Sequence, residues 1–178
     1  MKIQIRKGVF ETNSSSTHAI CITKNGIDKN QLPDHISFKY GEFGWEFAVY
    51  DDTSTKASYL YQAVLDCFSG DKREEKLNII KTLLADYDIS CNFEIKKSEY
   101  DWQNGYIDHG YDTIDFVNAV LSDGEKLIKY LFGDSFVVTG NDNGDEFSDY
   151  MYGETDGYLY STSYKSEFDN YEIYEKGN

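Results

Sequence analysis

The sequence predicts one α+β domain over residues 1–178, an antiparallel sheet with about four helices inserted in the middle of the chain. Three observations carry that expectation. Apolar residues alternate with polar ones near both ends, the period of a half-buried strand. Between about residues 55 and 131 the spacing changes to three and four, the period of a helix with one buried face. A single proline, Pro33, and the lack of any Pro/Ser-rich stretch leave no boundary at which to cut the chain. Strands, then helices, then strands is the order of an α+β fold.

The elements follow in turn. Ile3 and Ile5 alternate with polar neighbours, and residues 18–22, His-Ala-Ile-Cys-Ile, repeat the pattern after a polar turn. Residues 36–40 and 45–50 are further strands around Gly41 and Gly44. A helix over 55–68 carries Leu60, Tyr61, Val64, Leu65 and Phe68, with Thr53 or Ser54 as its cap. A second, over 72–87, uses Leu77, Ile80, Leu84 and Tyr87. Residues 92–96 return to strand. Asp112 begins a helix with Ile114, Val117, Val120 and Leu121, and Gly124 precedes a short one with Leu127, Ile128 and Leu131. Residues 136–139 and 146–152 read as a hairpin across Asn143-Gly144, the preferred two-residue turn pair. The tail, 157–174, alternates Tyr and Phe with polar residues and reads as strand.

The chain has 178 residues, 32 acidic and 17 basic, for a net charge of −15. Leu, Ile, Val and Phe make up about 24% of it, above the roughly 20% below which a highly charged chain stays disordered. A pI of 4.4 argues against binding nucleic acid or an anionic membrane through a broad basic face, and for basic partners. The charge is uneven: +1 over residues 1–50, −8 over 51–140 and −8 over 141–178. The last segment also holds seven of the sixteen tyrosines. Three cysteines without a C-x-x-C pair, an opening decad with no apolar run behind it, and no long apolar stretch predict a reducing cytoplasm.

The densest polar segment, Glu11-Thr-Asn-Ser-Ser-Ser-Thr-His18, reads first as a loop whose side chains bond their own backbone. A Ser/His nucleophile is the weaker reading, since no strand–elbow–helix motif surrounds these serines. Metal binding is the stronger chemical idea. His18 and Cys21 lie three apart, Glu46 offers an oxygen, and His109 sits in the polar, aromatic stretch 100–109; four such donors suffice for one structural zinc ion. Alternation places His18 and Cys21 on opposite faces of an ideal strand, so a shared site requires a bend at His18. Cys67 reads as core, Cys91 as core or ligand, and His35 as surface. A calcium loop over 139–150 fails on register, because Thr139 and Tyr150 stand where carboxylates are needed. The acidic, tyrosine-rich tail is the remaining signal, since tyrosines supply contact area at little entropic cost.

The string Arg6-Lys-Gly-Val-Phe-Glu-Thr-Asn-Ser-Ser-Ser-Thr-His18 resembles the opening of a family of small phage and prophage proteins from low-GC Gram-positive hosts. Residues 41–46 (Gly-Glu-Phe-Gly-Trp-Glu), 56–61 (Lys-Ala-Ser-Tyr-Leu-Tyr) and 106–109 (Tyr-Ile-Asp-His) look like further landmarks of that family. Acidic phage proteins of this size include anti-CRISPR inhibitors of the type II-A RNA-guided nuclease, at least one of which is thought to hold zinc. The resemblance therefore implies a protein-binding role, and gives His18, Cys21 and His109 a reason to be ligands.

These readings converge on an inhibitor that binds a basic host protein, with the type II-A nuclease foremost, and interferes with DNA loading. Asp142, Asp145, Glu146, Asp149, Glu154 and Asp156 are the expected contacts, and Tyr150, Tyr152 and Tyr158 the aromatic anchors. Direct nucleic-acid binding and membrane association are not expected. Two alternatives stand beside it: a metal-dependent enzyme centred on Glu11, His18, Glu46 and His109, and an accessory phage protein with another partner.

Overall fold

The computed structural model of the chain describes residues 16–95, 105–141, 145–153 and 163–176. In chain order the strands and helices are β1 (Ser16–Thr23), β2 (His35–Phe38), β3 (Glu42–Phe43), β4 (Ala48–Tyr50), α1 (Thr53–Cys67), α2 (Gly70–Ala85), β5 (Ser90–Phe93), β6 (Tyr106–Ile107), α3 (Ile114–Val120), α4 (Gly124–Phe132), β7 (Phe136–Asn141), α5 (Asp145–Met151) and β8 (Tyr171–Lys176). Four strands form the main sheet in the order β4-β7-β1-β8, with every neighbouring pair antiparallel. Two small parallel pairs, β2-β5 and β3-β6, flank it. This is the expected α+β domain.

β1 is buried at all eight positions because both faces of the sheet are covered. Ile20 and Ile22 face the large core, built with Leu60 and Val64 of α1, Ile80 and Leu84 of α2, Val117 of α3 and Leu127 of α4. Ala19 and Cys21 face a second, smaller core with Phe136, Val138, Phe147, Met151 and Phe168. The period of two thus sorts one strand's side chains between two cores.

The helices end for local reasons. Asp52, rather than Thr53 or Ser54, caps α1: its carboxylate accepts from the Thr55 amide at 2.9 Å. Asp123 does the same for α4 through the Glu125 amide. α2 stops at Ala85, and Asp88 then turns with φ of 62° into β5. Lys56 is buried beneath α4, and its amine donates to the carbonyls of Gly133 and Ser135 at 2.9 and 2.8 Å.

The hairpin expected across residues 136–152 is replaced by β7 followed by helix α5. Phe147 and Met151, four apart, lie on one helical face against the second core, while Asp145 and Glu146 sit in the first turn, where carboxylates favour a helix. The tail is strand only over Tyr171–Lys176; a 3-10 turn at Ser166–Phe168 precedes it. The expected strand through Ile3 and Ile5 and the Asn143-Gly144 turn lie outside the described residues.

Candidate functional site

Three of the landmark strings (41–46, 56–61 and 106–109) and the described end of the fourth, residues 16–18, meet at one end of the main sheet. β3 pairs with β6, Glu42 opposite Tyr106 and Phe43 opposite Ile107, which brings residues 41–46 beside residues 106–109. The Phe43 ring packs on Tyr59 of α1 with centroids 4.9 Å apart. Tyr59 in turn meets His18, and the Ser16 hydroxyl donates to the Asp108 carbonyl at 3.2 Å.

His18 is fully buried and both ring nitrogens are engaged. The carbonyl of Gly44 can only accept, so Nε2 carries the proton and donates to it at 3.0 Å. Nδ1 is then the acceptor for the Tyr59 hydroxyl at 2.9 Å. Burial, reinforced by the neighbouring Lys176 charge, pushes the imidazole down to about 3, so it is neutral at ordinary pH.

Lys176 stands opposite His18 across the β1-β8 ladder. Its amine is buried and donates to the Ser16 carbonyl at 3.0 Å and to the Ser16 hydroxyl at 2.8 Å. Burial holds this lysine below its usual value, with Asp108 and Asp112 acting in the opposite direction. Serine and lysine are within reach, as in a nucleophile–base pair, yet Ser16 is 1% and Lys176 3% exposed. The hydroxyl spends its own proton on Asp108. Their arrangement ties the start of β1 to the end of β8.

Above this buried layer a cleft of about 230 Å³ opens between Gly44, Trp45, Tyr106 and Asp108. Trp45 is 52% exposed and Tyr106 45%, a large apolar area to leave in water. His109 follows with φ of 54°, and its Nε2 is 3.9 Å from the Asp108 carboxylate.

The expected zinc ligands occupy separate places. His18 faces Tyr59 and the large core, whereas Cys21 lies in the small core on the opposite face of β1, its thiol pushed up to about 12 by burial. The Glu46 side chain is exposed, and its carbonyl accepts from Thr139. Among the described residues no three His, Cys, Asp or Glu side chains converge to hold a metal ion. Glu11 lies outside the described residues.

The expected partner-binding residues are partly in view. Asp145, Glu146 and Asp149 are exposed on the outer side of α5. Tyr150 is half-buried, with its ring against Phe47 and Phe168. Tyr152 stacks on Tyr164, and both hydroxyls donate to Glu175, at 2.5 and 2.8 Å. Asp142, Glu154, Asp156 and Tyr158 lie outside the described residues.

Sequence reasoning missed Lys176 and the cleft residues Trp45, Tyr106 and Asp108. The last three stand inside the landmark strings, so an aromatic–carboxylate signal was present. Lys176 carries none, because its partner Ser16 is 160 residues away. No protein-family model, no curated protein and no solved structure matches this chain.

Proposed function

We propose that this chain is a binding protein that occupies a basic, nucleic-acid-receiving surface of another protein. The type II-A RNA-guided nuclease is the foremost partner, because acidic phage proteins of this size include its inhibitors. One observation carries the reading. Residues 141–178 contain only two lysines against ten carboxylates, and one of the two, Lys176, is buried on Ser16. Within the segment Lys165 is the other, and Lys126 of α4 pairs with Glu172 from outside it, while Asp145, Glu146 and Asp149 of α5 stand in solvent beside the half-buried Tyr150.

Such a surface attracts a lysine- and arginine-rich channel and repels the nucleic acid that competes for it. The packed second core beneath α5 holds these groups in place, so little conformational entropy is lost on association.

The test is DNA cleavage by type II-A nucleases titrated with the protein, with order of addition varied. Inhibition near one-to-one, strongest when the protein precedes DNA, is expected. The combined variant Asp145→Lys, Glu146→Lys, Asp149→Lys keeps its fold, binds at least tenfold more weakly at low salt and shows a flatter salt dependence. Uninhibited cleavage across several such nucleases, or an unchanged affinity of the triple variant, would remove the reading.

A further inference from the structure

The cleft at the meeting point of the landmark strings has the chemistry of a receptor for one cationic side chain. Two aromatic side chains, Trp45 and Tyr106, line it in substantial exposure, together with Asp108, whose side chain is about one-third exposed. A ring face attracts a cation electrostatically, most strongly tryptophan's, and a guanidinium also stacks on it. A carboxylate beside the ring adds a charge-assisted hydrogen bond. The cleft, of about 230 Å³, has room for a side chain.

Among the described residues, the charges around the cleft leave room for one more cation. Lys176 faces Asp108 and Asp112 from below, two carboxylates to one ammonium, and its hydrogen bonds go to Ser16. His18 is neutral in its buried pair with Tyr59 and Gly44. His109 Nε2, at 3.9 Å from the Asp108 carboxylate, is beyond hydrogen-bond range and pairs with it only when the ring is protonated. The cleft is also rigidly framed: the Tyr106 amide donates to the Gly41 carbonyl and the Asp108 amide to the Phe43 carbonyl, both at 2.9 Å.

We infer that the Trp45–Tyr106–Asp108 cleft binds an arginine side chain presented by a protein partner. This inference rests on the reading of the chain as a binder of basic protein surfaces, and it assigns the anchoring contact to a place apart from α5. The guanidinium lies against the indole and phenol and donates to the Asp108 carboxylate.

The experiment uses the full chain carrying Trp102→Phe, which leaves Trp45 as its one tryptophan, and follows indole fluorescence. The probe is N-acetyl-Gly-Arg-Gly-amide, with the citrulline analogue as a neutral control of the same shape. A saturable response to the arginine peptide in the millimolar range is expected, with at least a fivefold weaker response to citrulline. Asp108→Asn, and independently Tyr106→Ala at an exposed position, each weaken arginine binding at least fivefold with the thermal transition retained. Equal responses to arginine and citrulline, or no effect of either substitution, would overturn the assignment. The α5 triple variant leaves this titration unchanged. Loss of nuclease inhibition with an intact titration counts against the partner alone, and a flat titration with intact inhibition counts against the cleft alone.

Discussion

The Tyr59 hydroxyl donates to Nδ1 of His18 at 2.9 Å, in the tautomer that the Gly44 carbonyl imposes on this imidazole of the central strand. The neutral ring makes folding sensitive to acid. Above pH 6.5 both folded and unfolded chains leave it neutral, and its contribution is complete. As the pH falls, the unfolded chain takes up a proton that the folded chain refuses until about pH 3. Stability therefore declines between 6.5 and 3, by at most about 1.4 kcal/mol per pH unit. Asp66, whose carboxyl burial raises, acts in the opposite sense, so the imidazole is read from pH 6.5 to 5 as the difference between the native chain and a His18 variant. Urea midpoints in the native chain should fall over that window relative to those of His18→Gln, which is also less stable at pH 7 by about 1–3 kcal/mol.

Lys176→Met removes the hydrogen-bond donor that β8 gives to Ser16. The Ser16 carbonyl and hydroxyl lose that donor in a buried setting. The expected loss is about 1–3 kcal/mol, measured by urea unfolding. Lys176→Arg restores the donor at the cost of a bulkier head and should recover part of it.

Gly140 of β7 lies directly under α5. A Cβ there would stand 2.5 Å from the Cβ of Phe147, so Gly140→Ala forces the helix away from the sheet. A loss of about 1–3 kcal/mol is expected. In combination with Phe147→Gly the two losses should fall short of their sum, because that substitution removes the Cβ that the new methyl would strike. Strict additivity in the double-mutant cycle would show that α5 does not rest on Gly140.

All three cysteines are free, and burial raises each thiol, Cys21 to about 12. The thiolate is the reactive form, so the folded chain should react slowly with a disulfide reagent at pH 8. Cys21 should be the slowest of the three, and all should react promptly in urea. Rapid native labelling of Cys21, mapped by mass spectrometry, would contradict its place in the second core.

The four middle helices were legible because each repeats its apolar residues at three and four over two turns or more, and nothing competes with that signal. α5 was not. Over seven residues Phe147 and Met151 mark a helical face, but Asn143-Gly144 just before them is the strongest short-range hairpin signal known for strands. Packing on the sheet decided in favour of the helix. The opposite facing of His18 and Cys21 followed from strand alternation alone, and the structure has it so. Pairing was illegible: β1 lies between β7 and β8, and parallel pairs such as Phe43 with Ile107 leave no trace in local periodicity. The cleft belongs to the same class, since Trp45 and Tyr106 become neighbours only through that pairing.

The central position of β1 also orders events during synthesis. Both ladders that hold it need segments translated much later: its Ser16 pairs with Asn141 and its His18 with Lys176. While the ribosome makes the intervening residues, this apolar strand has neither neighbour, and only the helices between can form from nearby contacts. The exposed Ile20 and Ile22 are then a target for chaperones and for strand-to-strand aggregation. A nascent chain released before residue 171 has no β8 to close the sheet and leaves one edge of β1 open. Synthesis of residues 171–176 is thus the event that seals the sheet.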